Sequence, residues 1–159
     1  MPTQTASTIV NASVARAWDM WAHFEDFPRF LRHVKEVQEL GDGRSRWVVD
    51  MMGRQEWTAV NEDWIEQRQI GWRTTEGDVT HSGRVTFEAL GPGRTRIQVR
   101  IDYDPPGGLL GDLGDFLGAG KAFERALQQD LDDFARMVNE ARPEELEHAG
   151  ERYLFHARG

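Results

Sequence analysis

The sequence predicts an α+β fold in which a curved antiparallel sheet of six or seven strands wraps around one long C-terminal amphipathic helix. Three observations predict it. Between Val34 and Tyr103 apolar and polar residues alternate at period two, with glycine-containing turns between the runs. Further on, Phe116, Gly120, Phe123, Leu127, Leu131, Phe134 and Val138 recur at three- and four-residue steps, an aromatic-rich helical stripe about 30 Å long. The chain also carries six Trp and eight Phe against two Tyr, wide rigid apolar surface that must line a core or a pocket.

The elements follow in order. Residues 3 to 11 read as a first strand, β-branched at Ile9-Val10. Ser13 is the expected N-cap of a helix ending near Phe24, with Val14, Ala17, Trp18 and Trp21 on one face. A second short helix is expected over 26 to 31, with Asp26 as its N-cap and Pro28 in its first turn. The meander then runs from Val34 to Leu40, turns at Gly41-Asp42-Gly43, and returns with Trp47, Val49 and Met51 inward. In the next strand, Gln55 to Glu66, Trp57, Ala59 and Asn61 share one side. Its facing is ambiguous, so a bulge is expected near Trp64-Ile65. Ile70, Trp72 and Thr74 face inward next, then His81, Gly83, Val85 and Phe87, then Thr95, Ile97, Val99, Ile101 and Tyr103. After Asp104-Pro105-Pro106-Gly107-Gly108 breaks the last strand, a glycine-interrupted apolar stretch from Leu109 to Gly120 leads into the long helix, which runs to about Ala141. Residues 1–142 form the expected domain and 143–159 a flexible tail.

Composition bounds the function. A chain of 159 residues can bury one core without staples, and no apolar run approaches the roughly 18 residues of a membrane span. The absence of cysteine excludes disulfides, thiolate nucleophiles and cysteine-bound metal clusters. A net charge of −8 opposes a nucleic-acid partner. The first eight residues lack the basic and apolar regions of a secretory signal, so a cytoplasmic location is expected.

A twisted sheet of this size curls, and a single helix about 10 Å across leaves part of its concave side unfilled. This order of elements resembles the START-like superfamily, with its helix-grip fold, over about residues 3 to 140. The similarity is carried by Val14-Ala15-Arg16-Ala17-Trp18 with Phe24-Glu25-Asp26-Phe27-Pro28-Arg29-Phe30, by Gly71-Trp72 and Gly83-Arg84-Val85-Thr86-Phe87, and by Tyr103-Asp104-Pro105-Pro106-Gly107-Gly108 with Asp130-Leu131-Asp132-Asp133-Phe134. Together these resemble bacterial polyketide cyclase/dehydrase and coenzyme Q-binding proteins. The resemblance implies the fold and a hydrophobic pocket. It carries over no fixed catalytic motif, since the superfamily spans binders, carriers and enzymes.

The expected cavity wall comprises Trp47, Val49, Met51, Trp57, Trp72 and Thr74 from the first half of the sheet. His81, Val85, Phe87, Val99, Ile101 and Tyr103 follow from the second half, and Phe116, Phe123 and Leu127 from the helix. His81, Tyr103 and Asn61 are the candidates for proton transfer; the plainer reading makes each a hydrogen-bonded wall or core residue. The five histidines show no H-x-x-x-H or H-x-H spacing, so no metal and no cofactor is expected. Gly118-Ala119-Gly120-Lys121 lacks the phosphate-loop pattern. Asp130, Asp132 and Asp133 read as the wet face of the helix, and Arg73 and Arg84 with Glu62 and Glu88 as a solvated charge ladder. Arg29, Arg32, His33 and Lys35 form a basic patch beside the expected mouth. A solvated face is favoured there over contact with a membrane surface or an acidic partner.

Three functions follow. The first is binding or carriage of a lipid-like, isoprenoid or aromatic polyketide-like molecule. The second is a cyclase or dehydratase that folds a polyketide-like chain and moves protons with the polar wall residues. The third is an interaction module using the 24 to 35 surface.

Overall fold

The computed structural model describes residues 3–29, 31–50, 53–104 and 113–140, with the side chains of 104 and 113–120 excepted. Strand β1 (Thr3–Val10) leads through α1 (Val14–Ala22) and a 3₁₀ helix (Phe24–Arg29) into β2 (Val34–Gly41), β3 (Arg44–Asp50), β4 (Arg54–Ile65), β5 (Gln69–Gly77), β6 (Thr80–Gly91) and β7 (Arg94–Asp104), followed by α2 (Leu113–Glu140). All pairings are antiparallel, in the order β1-β7-β6-β5-β4-β3-β2. This is the helix-grip arrangement, with seven strands.

Local chemistry sets the elements. The Ser13 hydroxyl accepts from the Arg16 backbone N–H at 3.2 Å and caps α1. The β2–β3 hairpin turns through Gly41, Asp42 and Gly43, all at positive φ, which two glycines make cheap. In β4 the pairing skips between Glu62 and Ile65, with Asp63 at φ 52°; this bulge changes the phase, so that Asn61 and then Trp64 both face inward. Gly83 faces the Trp72 indole across β5 and β6. A Cβ there would lie 2.8 Å from two indole carbons and closer still to the Arg100 backbone oxygen.

Helix α2 closes the sheet by touching both of its edges. It lies against β1, where Gln128 donates to the Ser7 carbonyl at 3.0 Å and Asn139 accepts from the Asn11 N–H at 2.7 Å. At the opposite edge, Arg32 makes a bidentate pair with Asp133, both contacts at 2.7 Å, just before β2 begins. The core beneath includes Met20, Val85, Ile97, Val99, Leu131, Phe134 and Val138, with all six tryptophans partly buried against it.

Several expectations are corrected. Asp26 is not an N-cap: the 3₁₀ helix starts two residues earlier, and its Asp26 N–H donates to the His23 carbonyl at 3.2 Å while the side chain is buried. Helix α2 begins at Leu113, not after Gly120. A glycine costs a helix about 1 kcal/mol, a penalty that an already nucleated long helix absorbs. Gly107, Gly108, Gly111 and the tail 143–159 lie outside the described residues. In the acidic run, Asp130 is buried and the Asp133 side chain nearly so. The basic residues facing them are paired within the molecule, so that patch is not simply a solvated face. On the outer sheet surface Arg73 pairs with Glu62 at 2.6 Å, while Glu88 pairs with Arg96 and Arg84 stands opposite Arg100.

Candidate functional site

Between the concave sheet and the helices lies a cavity of about 180 Å³, far more room than a single water needs. Five of the six tryptophans line it. Trp47 and Trp57 lie side by side, nearly parallel at 6.5 Å, because the two are cross-strand partners in β3 and β4. Trp21, Phe24 and Phe27 cover one end from α1 and the 3₁₀ helix, and Phe123, Leu127 and Leu131 close the side facing α2.

Of the residues singled out from sequence, Trp47, Val49, Trp57, Trp72, His81, Val85, Val99, Ile101, Tyr103, Phe123 and Leu127 stand on the wall, together with Asn61. Phe87 and Thr74 do not. The Phe87–Ile97 row lies one step beyond the Val85–Val99 row, where α1 seals the sheet, and the Phe87 ring packs 6.4 Å from Trp21 as core. The Thr74 hydroxyl accepts from the His81 backbone N–H at 3.0 Å and serves the β5–β6 edge. Met51 and the side chain of Phe116 lie outside the described residues.

The wall is graded in polarity. Strand register places Tyr103 opposite His81, and Ser45 opposite Ala59, toward one end of the strands. Toward the other, Val99, Val85 and Ile70 form an apolar row. Trp47 donates to the Ser45 hydroxyl at 2.8 Å and Trp64 to the Gly71 carbonyl at 3.0 Å, so two indoles are satisfied locally. Trp72 Nε1 donates to His81 Nδ1 at 3.0 Å. An indole nitrogen can only donate, so the neutral imidazole carries its proton on Nε2. The Trp57 ring stands edge-on to His81 at 4.6 Å and fixes its plane. Burial lowers the His81 pKa to about 4, because no anion sits beside it to favour the charged form. The Tyr103 ring stacks on Phe123 at 4.9 Å, and its buried hydroxyl makes no hydrogen bond of normal geometry among the described residues. Burial pushes this phenol up, and the nearby Gln4 side chain partly offsets the shift.

Asp130 is the acidic wall residue that sequence reasoning missed, alongside apolar ones such as Trp64 and Ile70. Its Oδ1 accepts from His33 Nδ1 at 2.9 Å and from the His33 backbone N–H at 3.3 Å. Burial raises the carboxyl, and the His33 contacts pull it only part of the way back. The signal existed: Asp130 sits three residues after Leu127 and four before Phe134, on the buried stripe. Among the described residues no group of three His, Asp or Glu is placed to hold a metal, and no helix is long and apolar enough to cross a membrane.

Residues 1–139 match the family model described as polyketide cyclase / dehydrase and lipid transport. The chain belongs to that family. A curated relative, the uncharacterized 17.2 kDa protein in the melC2-rnhH intergenic region of Streptomyces lincolnensis, is 29% identical over 132 residues, covering 82% of this chain and 85% of that one. Among solved structures, a START superfamily protein from Mycobacterium smegmatis superposes with a TM-score of 0.74 at 20% identity, covering 86% of this chain and 96% of that one. The Zhui aromatase/cyclase from Streptomyces sp. R1128 gives 0.65 at 20% identity, covering 95% and 94%. At such identities the structures speak for the fold alone, and they agree with the helix-grip arrangement of the sheet and α2.

Proposed function

We propose that this chain binds and carries a hydrophobic small molecule, of lipid-like, isoprenoid or aromatic polyketide-like character, inside the cavity. The observation that carries the reading is the cavity itself: about 180 Å³ walled by five indoles, with only a few polar groups, the usual composition of a site for an apolar ligand. Membership of a family that includes lipid transport supports it.

The cyclase or dehydratase reading is weaker on chemical grounds. An imidazole whose pKa lies near 4 holds a proton poorly at neutral pH and is a feeble general base. The interaction-module reading loses its main support because Arg32 and His33 are engaged with Asp133 and Asp130. Native mass spectrometry of the gently purified protein, followed by organic extraction, tests the proposal. One lipophile per chain is expected; a protein that is empty, and that takes up no apolar probe when offered one, would sink it.

A further inference from the structure

Three features of the polar end of the cavity point the same way. The Tyr103 hydroxyl is buried on the wall and, although the Gln4 side chain lies nearby, makes no hydrogen bond of normal geometry among the described residues; an O–H left so costs about 1–3 kcal/mol. Opposite it in the β6–β7 register stands His81, whose Cβ such pairing brings within about 5.5 Å of that of Tyr103. Because Trp72 donates to His81 Nδ1, the ring presents Nε2–H, which makes no hydrogen bond among the described residues. Two donors without a hydrogen bond of normal geometry therefore share one end of a mainly apolar space, with Asn61 and Asp130 elsewhere on its wall.

Charge on the wall decides what they await. Among the described residues no Lys or Arg lines the cavity, and the ionisable acid there, Asp130, would repel an anion. At this end a ligand hydroxyl would add a third donor beside two that already lack an acceptor. A carbonyl oxygen offers two lone pairs and no donor. We infer that Tyr103 and His81, the latter held in its Nε2–H form by Trp72, are specificity-determining residues that select an apolar ligand bearing an uncharged carbonyl oxygen, such as a ketone, ester or quinone, over the corresponding carboxylate. Both side chains are neutral at pH 7.5, the phenol as usual and the imidazole made more fully so by burial, which agrees with this. The inference rests on the cavity being a ligand site.

The test is isothermal titration calorimetry of the full chain at pH 7.5 with three probes of nearly equal shape: 2-acetylnaphthalene, 2-isopropenylnaphthalene and 2-naphthoate. The ketone should bind about tenfold more tightly than the hydrocarbon, roughly the share of one neutral hydrogen bond. The carboxylate should bind more weakly than the ketone. Tyr103→Phe should bring the ketone-to-hydrocarbon ratio toward one while leaving hydrocarbon affinity in place, and Trp72→Phe, which removes the indole N–H, should lower the same ratio. Should Tyr103→Phe fail to fold, the wild-type ratio and Trp72→Phe still decide. Equal binding of ketone and hydrocarbon, or preference for the carboxylate, would overturn the inference while leaving the cavity reading standing. Binding of none of the three would overturn both.

Discussion

Two buried ionisable groups stand on the same cavity wall, and they are treated in opposite ways. His81, on β6, has no countercharge beside it among the described residues; its ring accepts one hydrogen bond, from the Trp72 N–H, and burial holds it neutral. Asp130, on α2, receives two contacts from His33 and sits one helical turn from the Arg32–Asp133 pair. One oxygen of Asp130 and both of Asp133 thus help fasten α2 to the residues before β2, whereas His81 Nε2–H and the Tyr103 hydroxyl make no hydrogen bond of normal geometry among the described residues. A polar group that is fully engaged holds structure together, and one left unengaged is available to a ligand.

Among substitutions on the cavity wall, breaking the fastened side should have the largest effect. Asp130→Ala would remove both His33 contacts and leave partly buried donors unmet, a loss of about 2 kcal/mol in urea unfolding. Asp130→Asn, whose amide oxygen can still accept, should lose much less. A similar cost for the two would mean that the charge of Asp130, and not its acceptor, does the fastening.

On the unengaged side the largest signature is in pH. His81 has a folded pKa of about 4, below the ordinary 6.5, so between those values the unfolded chain takes up the proton first. The stability contributed by neutral His81 is complete above pH 6.5 and is lost as pH falls toward 4, by up to about 3 kcal/mol. Asp130 has the opposite sign: its raised pKa contributes stability at low pH that is lost as pH rises through the folded value. Denaturation curves from pH 7 to 4.5 should show a decline that His81→Gln abolishes. A decline of equal size in that variant would assign it elsewhere.

Gly83→Ala should cost about 2 kcal/mol, because its Cβ would press on the Arg100 backbone and on the indole that fixes His81. If the thermal midpoint did not move, the close seat of Trp72 on Gly83 would be disproved. The smallest effect belongs to the outer face, where Arg73→Ala breaks an exposed pair with Glu62 and should change stability by no more than about 0.5 kcal/mol. A larger loss would show that solvent screening is weaker there than at ordinary surface pairs.

The sheet was legible because its signal is local. Period-two alternation, glycine turns and the facing conflict around Trp64 each lie within a dozen residues, and they mark six strands and a bulge in β4. The start of α2 was not, because Gly114, Gly118 and Gly120 argue against a helix locally while nucleation from the stretch beyond argues for it. Asp130 was set among exposed acids for its charge, although its spacing put it on the buried stripe. Its partner His33 lies 97 residues away, a distance at which no local pattern can pair an acid with an imidazole. The Trp72–His81 contact lies between these cases: both residues were expected to face inward on adjacent strands, but the bond between them depends on a ring orientation that Gly83 and Trp57 set.

The most direct test of the cavity reading is titration with N-phenyl-1-naphthylamine, an uncharged apolar fluorophore, against the wild-type chain and Ala59→Phe. Ala59 is a small wall residue, so the larger ring should occupy the cavity while leaving the sheet paired. One saturable site in the wild type, lost or weakened at least tenfold in Ala59→Phe, is the result expected. No saturable binding, or equal binding by a folded Ala59→Phe, would contradict the claim that this cavity is where the ligand goes.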